Sequence, residues 1–385
     1  MKVAFDGGGL SRPESGTGRY TLELLRGLAR TGSGDRMTVF FNDRTRPRPD
    51  VTLPEGMDLV NPGWPDRVLR PMWERLGWPP VERFVGEADI FHASDWIHPP
   101  LRRAALVATV HDVGPLQHPE WYAPDVAARH RAIHRSLVDR DAWVVTVSEF
   151  TRRELLALGG LPDDRVHAVA SGVSRDFRPV DGARAVAARH GLDRPFVLYV
   201  GTREPRKNLM GLVDAFARVA ERVADVDLAL VGVRPRVEAR AVQGVEAWVG
   251  DELEERVADM GLTDRIRVVG QVPRADLPAL YTAAAVFAFP TLYEGFGLPI
   301  LEAMACGTPV VASDRTAVPE VAGDAAVLVD PTRPEALAEA LLRVLRSPEE
   351  TDRLRAAGRA RAATFSWDRT AKETRSVYER AAGGR

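Results

Sequence analysis

Short runs of β-branched and aromatic residues alternate with helical segments along the whole chain, and this alternation constrains the fold more than any other feature. It predicts parallel sheets flanked by helices. The runs of the first half are KVAFDG, MTVFFN, DIFHAS, ALVATVHD, WVVTVSE and VHAVASG, and those of the second half are FVLYVG, VDLALVG, IRVVGQV, VFAFPT, TPVVAS and AAVLVD. We therefore expect an α/β protein with two doubly wound, Rossmann-like units.

The length and composition also predict two domains. A chain of 385 residues with 45% hydrophobic residues has enough apolar surface for two cores. Residues 173–195 show no strand pattern and carry Pro and Gly, as an interdomain connection does. The predicted domains are 1–175 and 190–365, and a final helix over about 366–385 is expected to pack back on the first domain. Because open parallel sheets bind ligands at the carboxyl ends of their strands, we expect two facing sheets with a ligand cleft between them.

Charge and cysteine content exclude several classes of protein. The net charge of -2 lacks the basic excess of a nucleic-acid binder, so no nucleic-acid partner is expected. The single cysteine, Cys306, allows no intrachain disulfide and is expected to be a small buried residue. The start of the chain does not resemble a signal peptide, and no apolar run approaches the roughly 20 residues of a membrane-spanning helix. We therefore expect a cytoplasmic protein.

The stretch PTLYEGFGLPILEAMACGTPVVAS, residues 290–313, is the strongest candidate for a ligand site. A strand ending near Thr291 is followed by glycines that open a helix, and such a helix start presents N–H groups and a positive end to an anion such as a diphosphate. Glu302 could accept hydrogen bonds from a ribose diol, and Glu294 could meet sugar hydroxyls or phosphate. The alternative is an ordinary helix whose glutamates face water. The residues that open the helix are Gly295, Phe296, Gly297 and Leu298.

A second candidate is YVGTREPRKN, residues 199–208, at the end of the first strand of the second half. Lysine is rare in this chain, with three among 52 basic residues, so Lys207 stands out. An ammonium suits a point contact with phosphate, and a guanidinium suits a bidentate one. Because cations are disfavoured at a helix N-terminus, the cluster favours a bound anion over a solvated helix start. The candidates here are Gly201, Arg203, Arg206 and Lys207.

A glycine-rich loop in the first half, GGGLSRPESGTGRY (residues 7–20), is a weaker candidate. Gly16 and Gly18 precede a helix that is expected to start near Arg19. Such a loop lets the backbone approach a ligand closely, but it matches no complete dinucleotide fingerprint. A merely flexible loop is the alternative.

Two more strand ends of the first half carry polar side chains. His111 and Asp112 follow one strand in TVHDVG, and Ser148 follows the next in WVVTVSE. An imidazole and a carboxylate at these positions could line the ligand cleft, although such a pair is usually structural. Ser148 could equally be the N-cap of a helix.

We expect no metal site. Two acidic pairs and one histidine pair have spacings that occur in metal sites, but the acidic pairs border apolar strands and the histidines lack a third ligand. These pairs are Asp139 and Asp141, Asp225 and Asp227, and His130 and His134.

The segment WPDRVLRPMWERLGWPPVERF, residues 64–84, places three tryptophans among arginines. This composition is compatible with contact to a membrane surface or to a lipid-linked acceptor. Helical spacing favours core packing instead. The residues with that spacing are Leu69, Met72, Trp73 and Leu76.

Taken in order, SGTGRY, TVHDV, TVSEFTRREL, YVGTREPRKN and the Glu294/Glu302 segment resemble the retaining GT-B glycosyltransferases, a family that includes bacterial mannosyltransferases and sucrose and glycogen synthases. The resemblance spans nearly the whole chain, and the two glutamates within EGFGLPILEAMACGTPVVAS are its most specific marker. It implies the GT-B architecture, with the acceptor bound by residues 1–175 and the nucleotide sugar by 190–365.

The resemblance also implies roles for the candidates of the second half. Lys207 and a neighbouring arginine would bind the donor diphosphate, Glu302 the ribose, and Glu294 would lie near the donor sugar. The family commonly has arginine directly after the strand-end glycine, where this chain has Thr202. We expect Arg206, rather than Arg203, to supply that charge because it adjoins Lys207. In the first half, His111 would contact the transferred sugar, and the glycines of the loop would flank the diphosphate.

The activity implied is transfer of a hexosyl group, with retention and without a metal or other cofactor, from a nucleoside diphosphate sugar to a sugar or lipid-linked glycan acceptor. GDP-mannose is favoured as the donor, with UDP- and dTDP-sugars as alternatives. A non-catalytic sugar-nucleotide binder and a phosphorylase on the same fold remain alternative functions. The expected setting is bacterial polysaccharide or glycoconjugate biosynthesis, with peripheral contact at the inner face of the membrane and the oligomeric state left open.

Overall fold

The chain forms two compact units in the computed structural model, which describes residues 1–32, 34–44, 51–94, 98–232 and 250–384. Unit 1 comprises Met1–Leu116, Ala128–Gly172 and Phe365–Arg385, and unit 2 comprises Gln117–Ala127 and Val173–Thr364. The segment Gln117–Ala127 departs from the predicted boundary at 175. It groups with unit 2, where the rings of His118 and Tyr293 lie 5.5 Å apart.

The sheet of unit 1 has seven parallel strands among the described residues, in the order β3-β2-β1-β4-β5-β6-β7. Six of them coincide with the predicted runs. The sequence did not indicate the strand at 57–60, because it is a short, half-exposed edge strand without an apolar run. The strands are β1 (Lys2–Asp6), β2 (Arg36–Phe40), β3 (Met57–Val60), β4 (Ile90–Ala93), β5 (Ala105–Val110), β6 (Trp143–Thr146) and β7 (Val166–Ala168).

The sheet of unit 2 has six parallel strands among the described residues, in the order β10-β9-β8-β11-β12-β13. All six coincide with predicted runs. These runs are almost continuously apolar because helices cover both faces of a parallel sheet. The strands are β8 (Phe196–Val200), β9 (Asp227–Val231), β10 (Ile266–Gly270), β11 (Val286–Phe289), β12 (Val310–Ser313) and β13 (Val327–Val329).

Helices alternate with the strands, as the pattern predicted. Among the described helices, none combines the length and apolar character that crossing a bilayer requires. Those described are α1 (Gly16–Arg30), α2 (Asp66–Pro71), α3 (Glu82–Val85), α4 (Gly114–Gln117), α5 (Pro124–Asp139), α6 (Glu149–Ala157), α7 (Ala183–Arg189), α8 (Leu209–Ala220), α9 (Gly250–Asp259), α10 (Leu277–Ala283), α11 (Leu298–Ala305), α12 (Val318–Ala322), α13 (Pro334–Arg346), α14 (Pro348–Ala362) and α15 (Trp367–Gly383).

The final helix, α15, is part of unit 1 and packs along α1. Gly27 of α1 allows this close approach, since a Cβ there would lie 2.5 Å from the carbonyl oxygen of Trp367. Deeper in the unit, the hydroxyl of Tyr378 on α15 bonds Nδ1 of buried His92 at 2.5 Å, and Nε2 of that ring bonds Thr109 Oγ1 at 2.7 Å. A buried polar chain thus ties the end of the sequence to β4 and β5.

The tryptophan-rich segment at 64–84 divides between core and surface. Leu69 is buried, and Trp73 packs on the hydrophobic core of unit 1, as the helical spacing predicted. Leu76 and Trp78 are exposed, so the core interpretation is wrong for Leu76. The regular helix α2 ends at Pro71 and is followed by a wider, π-helical turn at Met72–Leu76, which shifts the later side chains off the buried face.

Each sheet has one point at which the strand order reverses. In unit 1 it lies between β1 and β4, and in unit 2 it lies between β8 and β11. Ligands of open α/β sheets bind outside the carboxyl ends of the strands beside such a switch point. The loops that follow these four strands are therefore where site residues are expected.

Candidate active site

Two loops flank the switch point of unit 2, residues 201–208 after β8 and residues 290–297 after β11. The backbone N–H of Leu292 donates to the carbonyl oxygen of Arg206 at 2.7 Å. Thr291 Oγ1 donates to the same oxygen at 2.9 Å. The two loops are thus fixed to each other, and the side chains of Arg206 and Lys207 have a defined position beside the second loop.

Four charged side chains of these loops form what we call the ion cluster: Glu204, Arg206, Lys207 and Glu294. Lys207 Nζ donates to Glu294 Oε2, and Arg206 Nη1 lies 3.3 Å from the same oxygen. Arg206 Nε donates to Glu204 Oε2 at 2.6 Å. The Lys207 ammonium also lies 5.1 Å from the centroid of the Phe289 ring, within the range of a cation–π contact. Two cations are therefore held together at the strand ends, and two carboxylates balance their charge.

Glu204 is a member of this cluster that the sequence analysis did not assign. Burial alone would raise the pKa of Glu204, but the charges of Arg206 and Lys207 and hydrogen bonds from Thr202 and Arg206 outweigh it and hold the pKa below its ordinary value. Glu204 is therefore ionised at neutral pH and orients the Arg206 guanidinium. The signal was available in the sequence as a carboxylate two residues before the predicted arginine.

The two candidate arginines have different partners. Arg203 Nη1 and Nη2 donate to the two carboxylate oxygens of Glu254 on α9, at 3.1 and 2.5 Å. Arg206 instead shares Glu294 with Lys207. Gly201 lies directly after β8, and its N–H donates to the carbonyl oxygen of Val231 at 3.0 Å. The structure brings Arg206, and not Arg203, together with Lys207.

The predicted glycine-opened helix is present as α11. Gly297 precedes it with φ of +105°, a conformation that side chains other than glycine rarely adopt. No carboxylate lies in the first turn, which consists of Leu298, Pro299 and Ile300. Gly295 and Phe296 of the loop are buried. The predicted helix start is thus present, and Glu294 on the loop before it joins the ion cluster, whose other three members lie on the loop after β8.

The alternative in which both glutamates of this segment face water is wrong. Glu302, in the second turn of α11, is 4% exposed, and its Oε2 accepts a hydrogen bond from the Tyr281 hydroxyl at 3.1 Å. The Glu294 side chain is 15% exposed and is bonded to the two cations. Burying carboxylates is costly unless they are paired, and the Tyr281 hydroxyl and the two cations supply those partners.

At the switch point of unit 1, Asp6 ends β1 and Ser94 follows β4. Asp6 Oδ1 accepts a hydrogen bond from the Gly8 N–H at 2.9 Å, whereas buried Oδ2 has no hydrogen-bond partner among the residues that the structure describes. Burial raises the pKa of Asp6 to about 7, against the opposing effect of the Gly8 hydrogen bond. Ser94 Oγ donates to the carbonyl oxygen of Asp6 at 2.8 Å. Sequence analysis overlooked both residues, although Asp6 stands directly before the glycine run.

His111 follows β5, and its Nε2 lies 3.1 Å from the carbonyl oxygen of Ser94. Because a carbonyl only accepts hydrogen bonds, Nε2 carries the proton and Nδ1 keeps its lone pair. Burial lowers the pKa of His111 and outweighs the opposing effects of Ser94 and Asp112. The ring of Tyr20 meets the imidazole edge-on, with centroids 4.7 Å apart. At neutral pH, His111 is therefore a fixed, neutral hydrogen-bond acceptor.

The two glycines predicted in the first half lie in a helix rather than a loop. α1 begins at Gly16, earlier than expected, because Ser15 Oγ accepts a hydrogen bond from the Gly18 N–H at 3.0 Å and caps the helix. A Cβ on Gly18 would lie 2.1 Å from the carbonyl oxygen of Arg12, so packing within unit 1 requires glycine there. A Cβ on Gly16 would meet no atom within 4 Å, so internal packing leaves Gly16 unexplained.

The remaining candidates of unit 1 have local structural partners. Asp112 Oδ1 accepts a hydrogen bond from the Gly114 N–H at 2.9 Å. Ser148 is buried and caps α6 by accepting from the Thr151 N–H at 3.0 Å, so its N-cap alternative describes what is observed. Cys306 is buried, as expected, and burial raises its pKa to about 12.

The acidic pair near β9 is surrounded by arginines. Asp227 Oδ1 lies 3.4 Å from both Arg194 and Arg265, and its other oxygen lies 3.6 Å from Arg267. Among the described residues, no group of three or more histidine, cysteine or carboxylate side chains has the geometry to hold a metal ion. Asp227 is therefore the centre of an arginine cluster at the start of its strand.

Comparison with known proteins agrees with this architecture. Residues 15–177 match the family model of Glycosyltransferase Family 4, and residues 185–361 match that of Glycosyl transferases group 1. O-antigen chain mannosyltransferase B of Escherichia coli is 32% identical over 98% of this chain and 100% of its own length. The MMP alpha-(1->4)-mannosyltransferase of Mycolicibacterium hassiacum is 30% identical over 95% of each chain. HepE of Anabaena, solved in complex with UDP-glucose, has a TM-score of 0.74 and 19% identity over the full length of both chains.

The two parallel-sheet units and this structural neighbour define the GT-B fold. The chain belongs to the Glycosyl transferases group 1 family and is a glycosyltransferase. The family resemblance inferred from the two glutamates and the lysine motif is thereby confirmed.

Proposed function

We propose that this glycosyltransferase moves a hexosyl group, preferably mannosyl, from a nucleoside diphosphate sugar to an acceptor hydroxyl, with retention and without a metal ion. The observation that carries the proposal is the ion cluster, in which Arg206 and Lys207 converge on one carboxylate oxygen of Glu294. Two adjacent, fixed cations suit a diphosphate, which carries several negative charges. The preference for mannose rests on the two relatives named as mannosyltransferases.

In this proposal, the donor diphosphate replaces the Glu294 carboxylate between the two cations, and Glu294 then meets hydroxyls of the donor sugar. The N–H groups at the start of α11 face the phosphates, and Glu302 binds the ribose. As the bond from the anomeric carbon to phosphate breaks, negative charge builds up on the leaving oxygen. Lys207 and Arg206 stabilise that charge as preorganised donors, which is the task a divalent ion performs in other transferases.

The residues of unit 1 act on the sugar and the acceptor. The Nδ1 lone pair of His111 accepts a hydrogen bond from a hydroxyl of the transferred sugar, which requires the neutral imidazole that burial favours. The acceptor hydroxyl attacks the anomeric carbon from the face that the diphosphate leaves, and its proton passes to a leaving phosphate oxygen. No protein nucleophile is assigned. A place in bacterial polysaccharide or glycoconjugate biosynthesis follows if the acceptor is a growing glycan.

The test is an NMR assay with GDP-α-mannose, methyl α-mannoside as acceptor, and EDTA throughout. We expect GDP and an α-linked disaccharide to form, or slow α-mannose release where this acceptor is too small. A β-linked product would contradict retention, and activity that disappears with EDTA and returns with a divalent ion would contradict metal independence. UDP-glucose and dTDP-rhamnose serve as competing donors. Binding without turnover of any donor would favour a sugar-nucleotide sensor, and cleavage of a glycoside by inorganic phosphate would favour a phosphorylase.

A further inference from the structure

One surface of unit 1 carries the large hydrophobic side chains that the described part of the chain leaves exposed. These are Val68, Leu76 and Trp78, with exposed fractions of 42%, 71% and 49%. All three lie within residues 68–78. A cluster of exposed apolar side chains marks an interaction site, whereas single ones scattered over a surface do not.

The segment is anchored from beneath. Trp73 packs on the core of unit 1, with its ring centroid 5.9 Å from that of Phe40, and Leu69 beside it is buried. Trp73 Nε1 donates to the carbonyl oxygen of Pro79 at 3.0 Å. The outward side chains therefore project from a fixed scaffold.

Positive charge predominates among the exposed side chains of the same segment. Residues 67–83 contain four exposed arginines and one exposed carboxylate, Glu74. Guanidinium groups bind phosphate oxygens in a bidentate way, and a tryptophan ring is favoured at the boundary between lipid headgroups and acyl chains. The arginines are Arg67, Arg70, Arg75 and Arg83.

An open cleft of 1020 Å³ lies beside Trp78. Three carboxylates also line it. Glu82 Oε1 accepts from the backbone N–H groups of residues 102–104 at 2.8 to 3.0 Å, whereas its buried Oε2 has no partner among the described residues. Glu87 pairs with Lys2 at 2.7 Å, and Asp89 accepts from the Lys2 backbone N–H at 2.8 Å. Four basic side chains therefore stand beside three carboxylates, which leaves a slight positive excess at this edge of the surface. The basic side chains of the cleft are Lys2, Arg83, Arg102 and Arg103.

We propose that this surface, the 67–83 surface, docks unit 1 on a bilayer that contains anionic phospholipids. Leu76, Trp78 and Val68 enter the headgroup boundary, and the arginines of the same segment bind lipid phosphates. The proposal concerns where the enzyme works and does not depend on the donor or the reaction. It selects the membrane alternative that the tryptophan-rich sequence left open.

A second copy of the chain is a poorer occupant of the 67–83 surface. A two-fold interface places the same patch on both partners, so that arginines would meet arginines. Juxtaposed like charges disfavour association. An anionic lipid surface offers both the apolar boundary and the opposite charge.

The experiment is cosedimentation of the full chain with vesicles of phosphatidylcholine mixed with phosphatidylglycerol, and with phosphatidylcholine alone. We expect binding to the mixed vesicles that weakens as salt is raised. Each arginine should contribute about a fivefold change in partitioning. The triple variant R67Q/R70Q/R75Q should therefore lose about 100-fold, and L76S/W78S should lose at least about tenfold.

The matched control is R343Q/R353Q/R355Q, which removes the same charge from two exposed positions and one partly exposed position on α13 and α14 of unit 2. It should bind the mixed vesicles within a few-fold of the wild type, and all variants should keep the wild-type circular dichroism, melting temperature and affinity for GDP. Equal binding by all variants, equal binding to both vesicle types, or no binding to either would overturn the proposal. Self-association in sedimentation velocity that L76S/W78S abolishes, without vesicle binding, would assign the surface to a second copy instead.

Discussion

The two switch points of this molecule are built from opposite kinds of polar groups. At the edge of unit 2, Arg206 and Lys207 are paired with carboxylates. At the edge of unit 1, Asp6 and His111 are single ionisable groups whose burial disfavours their charged forms, raising the pKa of Asp6 and lowering that of His111. The same strand order therefore supports two different chemistries.

The difference follows from what each edge would have to bind. A diphosphate needs cations that are in place before it arrives, and internal carboxylates keep such cations ordered and the empty site neutral. Sugar hydroxyls are neutral and need hydrogen-bond acceptors. An uncharged acceptor can bind them without first breaking a salt bridge within the protein. On this view, unit 2 binds by exchanging one anion for another, and unit 1 binds through neutral contacts.

The largest expected effect concerns the ion cluster of unit 2. Lys207→Ala should lower transfer by about 100-fold or more, because a charge-assisted contact to the leaving phosphate is lost. Steady-state turnover of GDP-mannose, with circular dichroism as a check on folding, measures this. The control is Lys372→Ala, an exposed lysine on α15 of unit 1, which should leave turnover unchanged. Near-normal turnover by Lys207→Ala would contradict the proposal that Lys207 binds the donor diphosphate.

A smaller effect tests the unit 1 side. Asp6 in the folded protein keeps its proton up to about pH 7, whereas the ordinary value is 3.8, so the free energy of unfolding should fall as pH rises between these values. Asp6→Asn removes this ionisation and should stabilise the protein above pH 7 by on the order of 2 kcal/mol, with little effect below pH 4.

Urea unfolding across this pH range measures the difference between Asp6→Asn and the wild type. The control is Asp58→Asn, on an exposed strand aspartate of β3. Unfolding curves of Asp6→Asn and wild type that shift in parallel with pH would show that Asp6 is not desolvated.

The smallest effect sharpens the idea of anion exchange. Glu294→Gln removes the carboxylate that competes with phosphate for Arg206 and Lys207, so affinity for free GDP should rise about fivefold, the equivalent of about 1 kcal/mol. Turnover should fall in the same variant, because in our proposal Glu294 also meets the donor sugar. Isothermal titration calorimetry gives the affinity, and Glu254→Gln, which touches Arg203 instead, is the control. A weaker affinity in Glu294→Gln would exclude competition.

Much of the fold was predictable because parallel strands covered on both faces leave an apolar run in the sequence. The runs from KVAFDG to AAVLVD became strands, whereas β3 left no such pattern because it is half exposed at an edge. The core packing predicted within 64–84 held for Leu69 and Trp73 but not for Leu76, since spacing alone does not show that the regular helix ends at Pro71.

The sequence indicated residues of the candidate site where a charge or a glycine is unusual for its position. Lys207 is unusual in a chain that mostly uses arginine, and the glycines before Leu298 predicted the start of a helix. Spacing could not show that Glu204 pairs with Arg206, that Tyr281 bonds Glu302, or that Ser94 fixes the imidazole of His111. These contacts join residues distant in sequence or depend on side-chain direction, which folding alone determines.

The measurement that tests the central claim most directly is a thermal-shift titration in EDTA with GDP-mannose, UDP-glucose, UDP-GlcNAc, dTDP-rhamnose and the free nucleotides. A ligand that binds only the native state raises the melting temperature. We predict a concentration-dependent rise with one nucleotide family, GDP-mannose and GDP first, that Arg206→Ala and Lys207→Ala each greatly reduce. No rise with any nucleotide, or a rise that requires a divalent ion and is unchanged in both variants, would contradict metal-free diphosphate binding by the ion cluster.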